Sequence, residues 1–154
     1  MVLKIKIERT TSKDINYIKL VAELDKDLKA KNGDKNDFFA QYNKSGNINH
    51  VIVAYINEKP VGCGAFKEYN STTVEIKRMY VKTELRGQGI ALTILNALEK
   101  WASELNYNEC ILETGDKMAE AIGLYQKHNY KRIKNYGQYE NVASSFCFSK
   151  SIIT

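Results

Sequence analysis

From Met1 to Glu8 apolar and charged residues alternate, the period of two expected of an outer strand. Ser12 can then cap a helix, because Ile15, Ile18, Val21, Ala22, Leu24 and Leu28 recur at helical spacing and Asn32-Gly33 supplies a stop. Between Asp34 and Asn49 the pattern breaks. Phe38, Phe39 and Tyr42 are spaced there as on a short helix, which reads equally as packing or as a lid over a substrate. The apolar runs from Val51 to Ile56 and from Val61 to Tyr69, joined by Asn57 to Pro60, predict a hairpin, and Thr72 to Val81 predicts a third antiparallel strand. Ala91, Ile94, Leu95, Leu98, Trp101, Ala102 and Leu105 mark one face of a strongly amphipathic helix, which Asn106 to Asn108 release into a strand from Glu109 to Thr114. Strand, helix and strand here predict a right-handed crossover. A shorter helix from Lys117 to His128 follows, then closing strands from Tyr130 to Tyr136 and from Ser144 to Ile152 around a loop containing Gly137. With no repeat, low-complexity tract or linker, residues 1–154 are expected to form one α/β domain with a mixed sheet.

Composition narrows the class of protein. At 154 residues and 44% apolar content, the chain can bury about two-thirds of its unfolded surface. Cys63, Cys110 and Cys147 are odd in number, far apart and embedded in apolar runs, so buried reduced thiols are expected rather than disulfides. Neither His50 nor His128 stands beside a ligand cluster, and no metal site is expected. No run is long enough to span a bilayer and the N-terminus lacks the apolar core of a signal peptide, so a cytoplasmic protein is expected. The net charge of +5 is spread over scattered lysines, which fits a solvated surface better than nucleic-acid binding.

The most informative segment runs from Glu75 to Val81 and on through Arg86, Gly87, Gln88, Gly89, Ile90 and Ala91. It reads as strand, glycine-rich turn and helix start. Glycines let the backbone approach a ligand closely, and the first helical N–H groups lack carbonyl partners and stand at the positive end of the dipole. A diphosphate fits such a turn. The dinucleotide fingerprint is disfavoured because Leu92 stands where its third glycine should fall, and the G-K-[ST] of a P-loop is absent.

Arg86-x-x-Gly89-x-Ala91, following a strand that ends in Met79, Tyr80 and Val81, resembles the acetyl-CoA pyrophosphate loop of the GNAT superfamily of N-acetyltransferases. Glu113-Thr114-Gly115, then Ala121 to Tyr125 and Asn129-Tyr130, resemble the family's next strand and helix in the expected order. The resemblance covers about half of the chain, from Val61 to Tyr136. It implies a GNAT-like domain with a mostly antiparallel sheet flanked by helices. It also implies acetyl transfer from acetyl-CoA to a primary amine by direct attack in a ternary complex. The cofactor-binding residues implied are Arg86, Gly87, Gln88, Gly89, Ile90 and Ala91 at the diphosphate, with the main chain of Met79, Tyr80 and Val81 pairing with the pantetheine arm.

Two catalytic side chains follow from the resemblance. Tyr125 stands where the family places its general acid; on the residues alone it reads as a packed core tyrosine, sharing a helix face with Met118 and Ile122. Glu75 matches the glutamate that serves as base in members that use one, against the alternative of a strand glutamate paired with Lys77 or Arg78. Glu113 is a lesser alternative, and many members rely on a water chain. Two positions depart from the family pattern. Gly115-Asp116 replaces an asparagine that contacts the cofactor, and Asn129 replaces a glycine but tolerates the left-handed conformation that ends a helix.

Substrate-facing segments are expected at Phe38 to Tyr42 and Tyr136 to Glu140, which with Asp34 and Asp37 suit a cation with an apolar part. The partners expected are an amine-bearing small molecule or peptide, with neither nucleic acid nor membrane; a homodimer is left open. The rival readings are a non-catalytic acyl-CoA-binding regulatory module, opposed by the presence of both Tyr125 and Glu75, and a basic nucleic-acid-binding domain, opposed by the lack of a clustered basic stripe.

Overall fold

The computed structural model describes residues 4–33 and 46–153. The lid-or-packing segment around Phe38, Phe39 and Tyr42, with Asp34 and Asp37, lies outside them. The elements are β1 (Lys6–Thr10), α1 (Ile15–Asn32), β2 (His50–Ile56), β3 (Lys59–Asn70), β4 (Thr73–Val81), a 3₁₀ turn at Thr83–Leu85, α2 (Ile90–Glu104), β5 (Glu109–Gly115), α3 (Ala119–Lys127), β6 (Lys131–Ile133), a second 3₁₀ turn at Gly137–Tyr139, and β7 (Ser145–Ser151).

The strands form one seven-stranded sheet in the order β1-β2-β3-β4-β5-β7-β6. Its pairings are antiparallel except at β4 and β5, the strands that α2 connects. The mixed, mostly antiparallel sheet expected from the sequence is present. The β2–β3 turn is tighter than the four-residue connection read from the chain: Ile56 pairs with Lys59, and Asn57 and Glu58 both adopt positive φ, at 51° and 65°. That is the backbone of a two-residue hairpin whose twist matches its strands, and it draws Pro60 into β3.

Helix α1 differs from expectation in its cap and its phase. Asp14, not Ser12, caps it, with Oδ1 accepting from the amides of Asn16 at 2.8 Å and Tyr17 at 3.3 Å. Ser12 instead exchanges hydrogen bonds with Ile48 just before β2. The buried stripe is Tyr17, Leu20 and Leu24, whereas Ile15 and Ile18 are 60% and 48% exposed. Tyr17, Leu20 and Leu24 stand at 3–4 spacing, which places all three on the face against the sheet.

Alternation along each strand splits the core between two faces. Val51, Val53, Cys63, Ala65 and Tyr80 meet α1, while Ile52, Ala54, Val74, Ile76 and Val81 meet Ile90, Ile94, Leu95, Leu98 and Ala102 of α2. Leu105, expected on the inner face of α2, lies at its C-terminus and is 44% exposed. The three cysteines are buried and unpaired, as expected.

Close approach of α2 to β3 depends on Gly64. A Cβ there would stand 2.6 Å from Met79 Sδ and 2.9 Å from side-chain carbons of both Ile94 and Leu98. Gly64→Ala should therefore destabilise the fold by about 1–3 kcal/mol through overpacking. Urea unfolding checks this, and an unchanged midpoint would mean that α2 can move away from the sheet freely.

Candidate active site

The glycine turn takes the form the sequence predicts. Gly87 and Gly89 have φ of 80° and 85°, a left-handed conformation that side chains adopt only at a cost, and a Cβ on either would meet nothing within 4 Å. Gly89 is the N-cap of α2 and supplies no side-chain cap, so the first amides of the helix, at Ile90, Ala91 and Leu92, receive no capping oxygen from it. Thr93 closes the first turn with its amide and hydroxyl on Gly89 O, at 3.0 and 2.8 Å. The turn opens outward and carries uncapped donors at a helix N-terminus, which is what a diphosphate requires.

Arg86 does not extend toward that opening. Its Nε donates to Val81 O at 2.9 Å, and its guanidinium lies 3.2 Å from Asp27 Oδ2 and 5.6 Å from the centre of the Tyr80 ring. The side chain thus ties the end of β4 to α1 and braces the turn.

The second component is a divergence of strands. β4 and β5 pair only from Thr73–Glu109 to Glu75–Ile111; beyond them β5 continues along β7 while, among the described residues, the edge of β4 has no strand beside it. Opposite this edge β4 is irregular. Cys63 pairs with Tyr80 but Ala65 pairs with Lys77, so one residue of β3 faces two of β4, and Arg78 takes a φ of 59°. This is a β-bulge. Because of it, Arg78 reaches Asp25 on α1 at 2.7 Å and Tyr80 reaches Glu23 on α1 at 3.1 Å, while Met79 and Val81 pack toward α2. The sequence-level alternative for Glu75 is met in part, since Lys77 is its ion-pair partner and Arg78 belongs to Asp25.

A cavity of about 120 Å³ lies at the divergence, lined from β4 by Glu75 to Met79, from β5 by Leu112 to Gly115, and closed by residues of α1, α3 and the second 3₁₀ turn. Glu75 is 5% exposed, and a carboxylate so placed needs partners. The Tyr136 hydroxyl donates to its Oε2 at 2.6 Å and the Lys77 ammonium stands 3.8 Å from its Oε1. Burial first, then the Glu75 charge and hydrogen bond, push the Tyr136 phenol well above its usual range. Glu113 is half-buried and accepts from Ser145 Oγ at 2.7 Å. Burial, reinforced by Glu75, raises its carboxyl to about 7 against the opposing influence of Ser145 and Lys77. Burial lowers the Lys77 ammonium, although Glu75 opposes that shift.

Tyr125 projects from α3 into the wall of this cavity, its ring 5.6 Å from Tyr130 and 6.4 Å from Phe148. Burial and the charge of Glu113 raise its phenol, so the hydroxyl holds its proton through the neutral range. Among the expected site residues, the structure therefore gathers Tyr125, Glu75 and Met79 at the cavity. Tyr80 turns its side chain to α1, and Arg86 to Ala91 form the adjoining turn. Asn129 has the left-handed φ, 73°, expected of it after α3. Sequence reasoning missed Ser145 and the pairing of Tyr136 with Glu75. Tyr136 does fall in a segment marked as substrate-facing, but nothing in the chain announces a contact across 61 positions.

Residues 18–130 match the model of the Acetyltransferase (GNAT) family, well over half of the chain, and the protein belongs to that family. The sequence is 33% identical over 85 residues to human N-acetyltransferase 8B, covering 52% of this chain and 37% of that protein. The chain spans about half the length or less of the first curated relatives it matches. Among solved structures, a Klebsiella pneumoniae protein described as an acyl-CoA N-acyltransferase superposes with a TM-score of 0.80 at 25% identity, covering 97% of this chain and 98% of that one. A GNAT family acetyltransferase from Elizabethkingia anophelis, solved with acetyl-CoA bound, shares the fold with a TM-score of 0.69 at 19% identity, covering 96% and 97% of the two chains.

Proposed function

We propose that the protein is an N-acetyltransferase that moves the acetyl group of acetyl-CoA directly to the amine of a small molecule or peptide within a ternary complex. The observation that carries this reading is the succession along β4 of the cavity holding Glu75, Glu113 and Tyr125, the strand edge beyond its pairing with β5, and the outward-opening glycine turn that follows the strand. The turn amides from Gly87 to Ala91 hold the diphosphate, braced by Arg86, and the main chain of Met79 to Val81 pairs with the pantetheine amides. Acetyl-CoA supplies the activated thioester.

The chain's own residues manage protons. The carboxylates of Glu75 and Glu113 receive the acceptor as its ammonium ion and remove one proton, freeing the nitrogen lone pair to attack the thioester carbonyl carbon. The carbon–nitrogen bond forms as the carbon–sulfur bond breaks; Tyr125 donates its phenolic proton to the departing thiolate, and the second proton that the nitrogen sheds as it becomes an amide passes to solvent, which restores the phenol. Tyr136 and Tyr139, whose rings lie 5.9 Å apart beside the two carboxylates, suit an acceptor with an apolar part next to its charge. The buried free thiols are compatible with a reducing compartment such as the cytoplasm.

Incubation with acetyl-CoA and a panel of alkylamines, polyamines, arylethylamines and peptide N-termini, followed by release of free CoA thiol, tests the reading. Release that depends on one class of amine is the expected result. Acetyl-CoA that raises the melting temperature yet yields no thiol with any amine would favour the acyl-CoA-binding module instead.

A further inference from the structure

We infer that Asp27 of α1 is a positioning residue for acetyl-CoA, acting through Arg86 to hold the glycine turn in its binding conformation before the ligand arrives. This rests on the acetyl-transfer reading above. The turn needs such a support. Gly87 and Gly89 both stand at positive φ, and a glycine backbone is free to leave that region again, so the two residues by themselves do little to fix the amides around them. The far end of the turn is fastened by Thr93, whose amide and hydroxyl both bond Gly89 O. The near end is fastened by Arg86, the last side chain before the first glycine.

Arg86 is held on three sides. Its Nε donates to Val81 O at 2.9 Å, a second guanidinium nitrogen donates to Asp27 Oδ2 at 3.2 Å, and the group lies 5.6 Å from the centre of the Tyr80 ring. Tyr80 is itself fixed to α1, because its hydroxyl donates to Glu23 Oε1 at 3.1 Å while the Lys82 ammonium donates to Oε2 of the same carboxylate at 3.1 Å. Glu23 and Asp27 stand one helical turn apart, so both project from the same flank of α1, beside the buried Leu20 and Leu24. That spacing matches their targets, since Glu23 takes the end of β4 and Asp27 takes the residue that enters the turn. Asp27 also accepts the Lys31 ammonium at 3.3 Å, which keeps its carboxylate in place along the helix. Ordering a loop on binding lowers affinity, and an anion site whose amides are ordered beforehand avoids that loss.

Charge alone predicts the opposite effect. Acetyl-CoA is anionic, so if the field of Asp27 were what mattered, removing the carboxylate would tighten binding. Binding would also tighten if Asp27 merely kept Arg86 from reaching the diphosphate. Positioning predicts weaker binding, and the sign of the change separates these roles.

Calorimetric titration of the protein with acetyl-CoA, beside thermal melts, is the test. Asp27→Asn should weaken binding about tenfold, while Asp27→Glu, which keeps the carboxylate, should recover most of the loss. Arg86→Met should weaken binding at least as much, and adding Asp27→Asn to it should bring no further loss, because the carboxylate acts only through the guanidinium. Glu104→Gln breaks a different ion pair, the one between Arg9 of β1 and the C-terminal end of α2, and should leave acetyl-CoA binding as in the wild type. Backbone amide relaxation measured by NMR should show Gly87 and Gly89 more mobile in free Asp27→Asn than in the free wild-type protein.

Unchanged or tighter binding in a folded Asp27→Asn protein would overturn the inference and leave acetyl transfer standing. A loss of the same size in Glu104→Gln, or a further loss when Asp27→Asn is added to Arg86→Met, would overturn it too. A wild-type protein that binds no acetyl-CoA would remove both readings together. Should Asp27→Asn not fold, Arg86→Met decides by relaxation: glycines as ordered as in the wild type would exclude a brace at Arg86.

Discussion

Replacing Gly89 by glutamate should abolish measurable acetyl-CoA binding in a protein that remains folded. Gly89 has a φ of 85° and stands where α2 begins, with its Cβ direction open. A glutamate there costs roughly 1–2 kcal/mol for the left-handed backbone, and its Cβ meets nothing within 4 Å. Its carboxylate, however, occupies the positive end of the helix where the diphosphate must sit. Two unit charges 4 Å apart at an effective dielectric of about 20 repel by about 4 kcal/mol, which is more than a hundredfold in affinity. Gly89→Ala carries the same backbone strain without the charge and should bind far better than Gly89→Glu. Calorimetric titration beside thermal melts measures both quantities. Wild-type affinity in a folded Gly89→Glu protein would show that the diphosphate sits elsewhere.

For Tyr125→Phe the expected loss is in turnover rather than binding. The ring stays packed against Tyr130 and Phe148, so melting temperature and acetyl-CoA affinity should be nearly unchanged. What disappears is a proton held beside the cavity by a phenol that burial keeps from ionising. Without it the thiolate must leave unprotonated or take its proton from water, and kcat should fall roughly ten- to a thousandfold. Steady-state kinetics with a turned-over amine would measure this. A stable variant with wild-type kcat would return Tyr125 to a packing role, and an unstable one would show that its hydroxyl serves the fold.

Local chemistry alone determined a good part of this molecule. Two glycines two positions apart at a strand-to-helix junction allow a left-handed turn at little cost, and that turn is present at Gly87 and Gly89. The inner face of α2 was readable because its period is a property of the backbone. The phase of α1 was not, since Ile15 and Ile18 compete with Tyr17 for the inner face and only the sheet beneath them chooses. Nor does any local rule place β7 between β5 and β6, because strand order depends on which edges remain to be paired after the crossover is made.

The site divides in the same way. The loop reads as an anion-holding turn from its own residues, and Glu75 and Tyr125 were singled out by the family resemblance, but the relations of all three to one another are tertiary. The bulge at Arg78 and the early end of β4–β5 pairing open the cavity. Insertion of β7 brings Ser145 to Glu113, and the turn before it brings Tyr136 to Glu75. Burial, which no spacing of residues encodes, raises the Glu113 carboxyl, and the folded chain gives the two glutamates different partners.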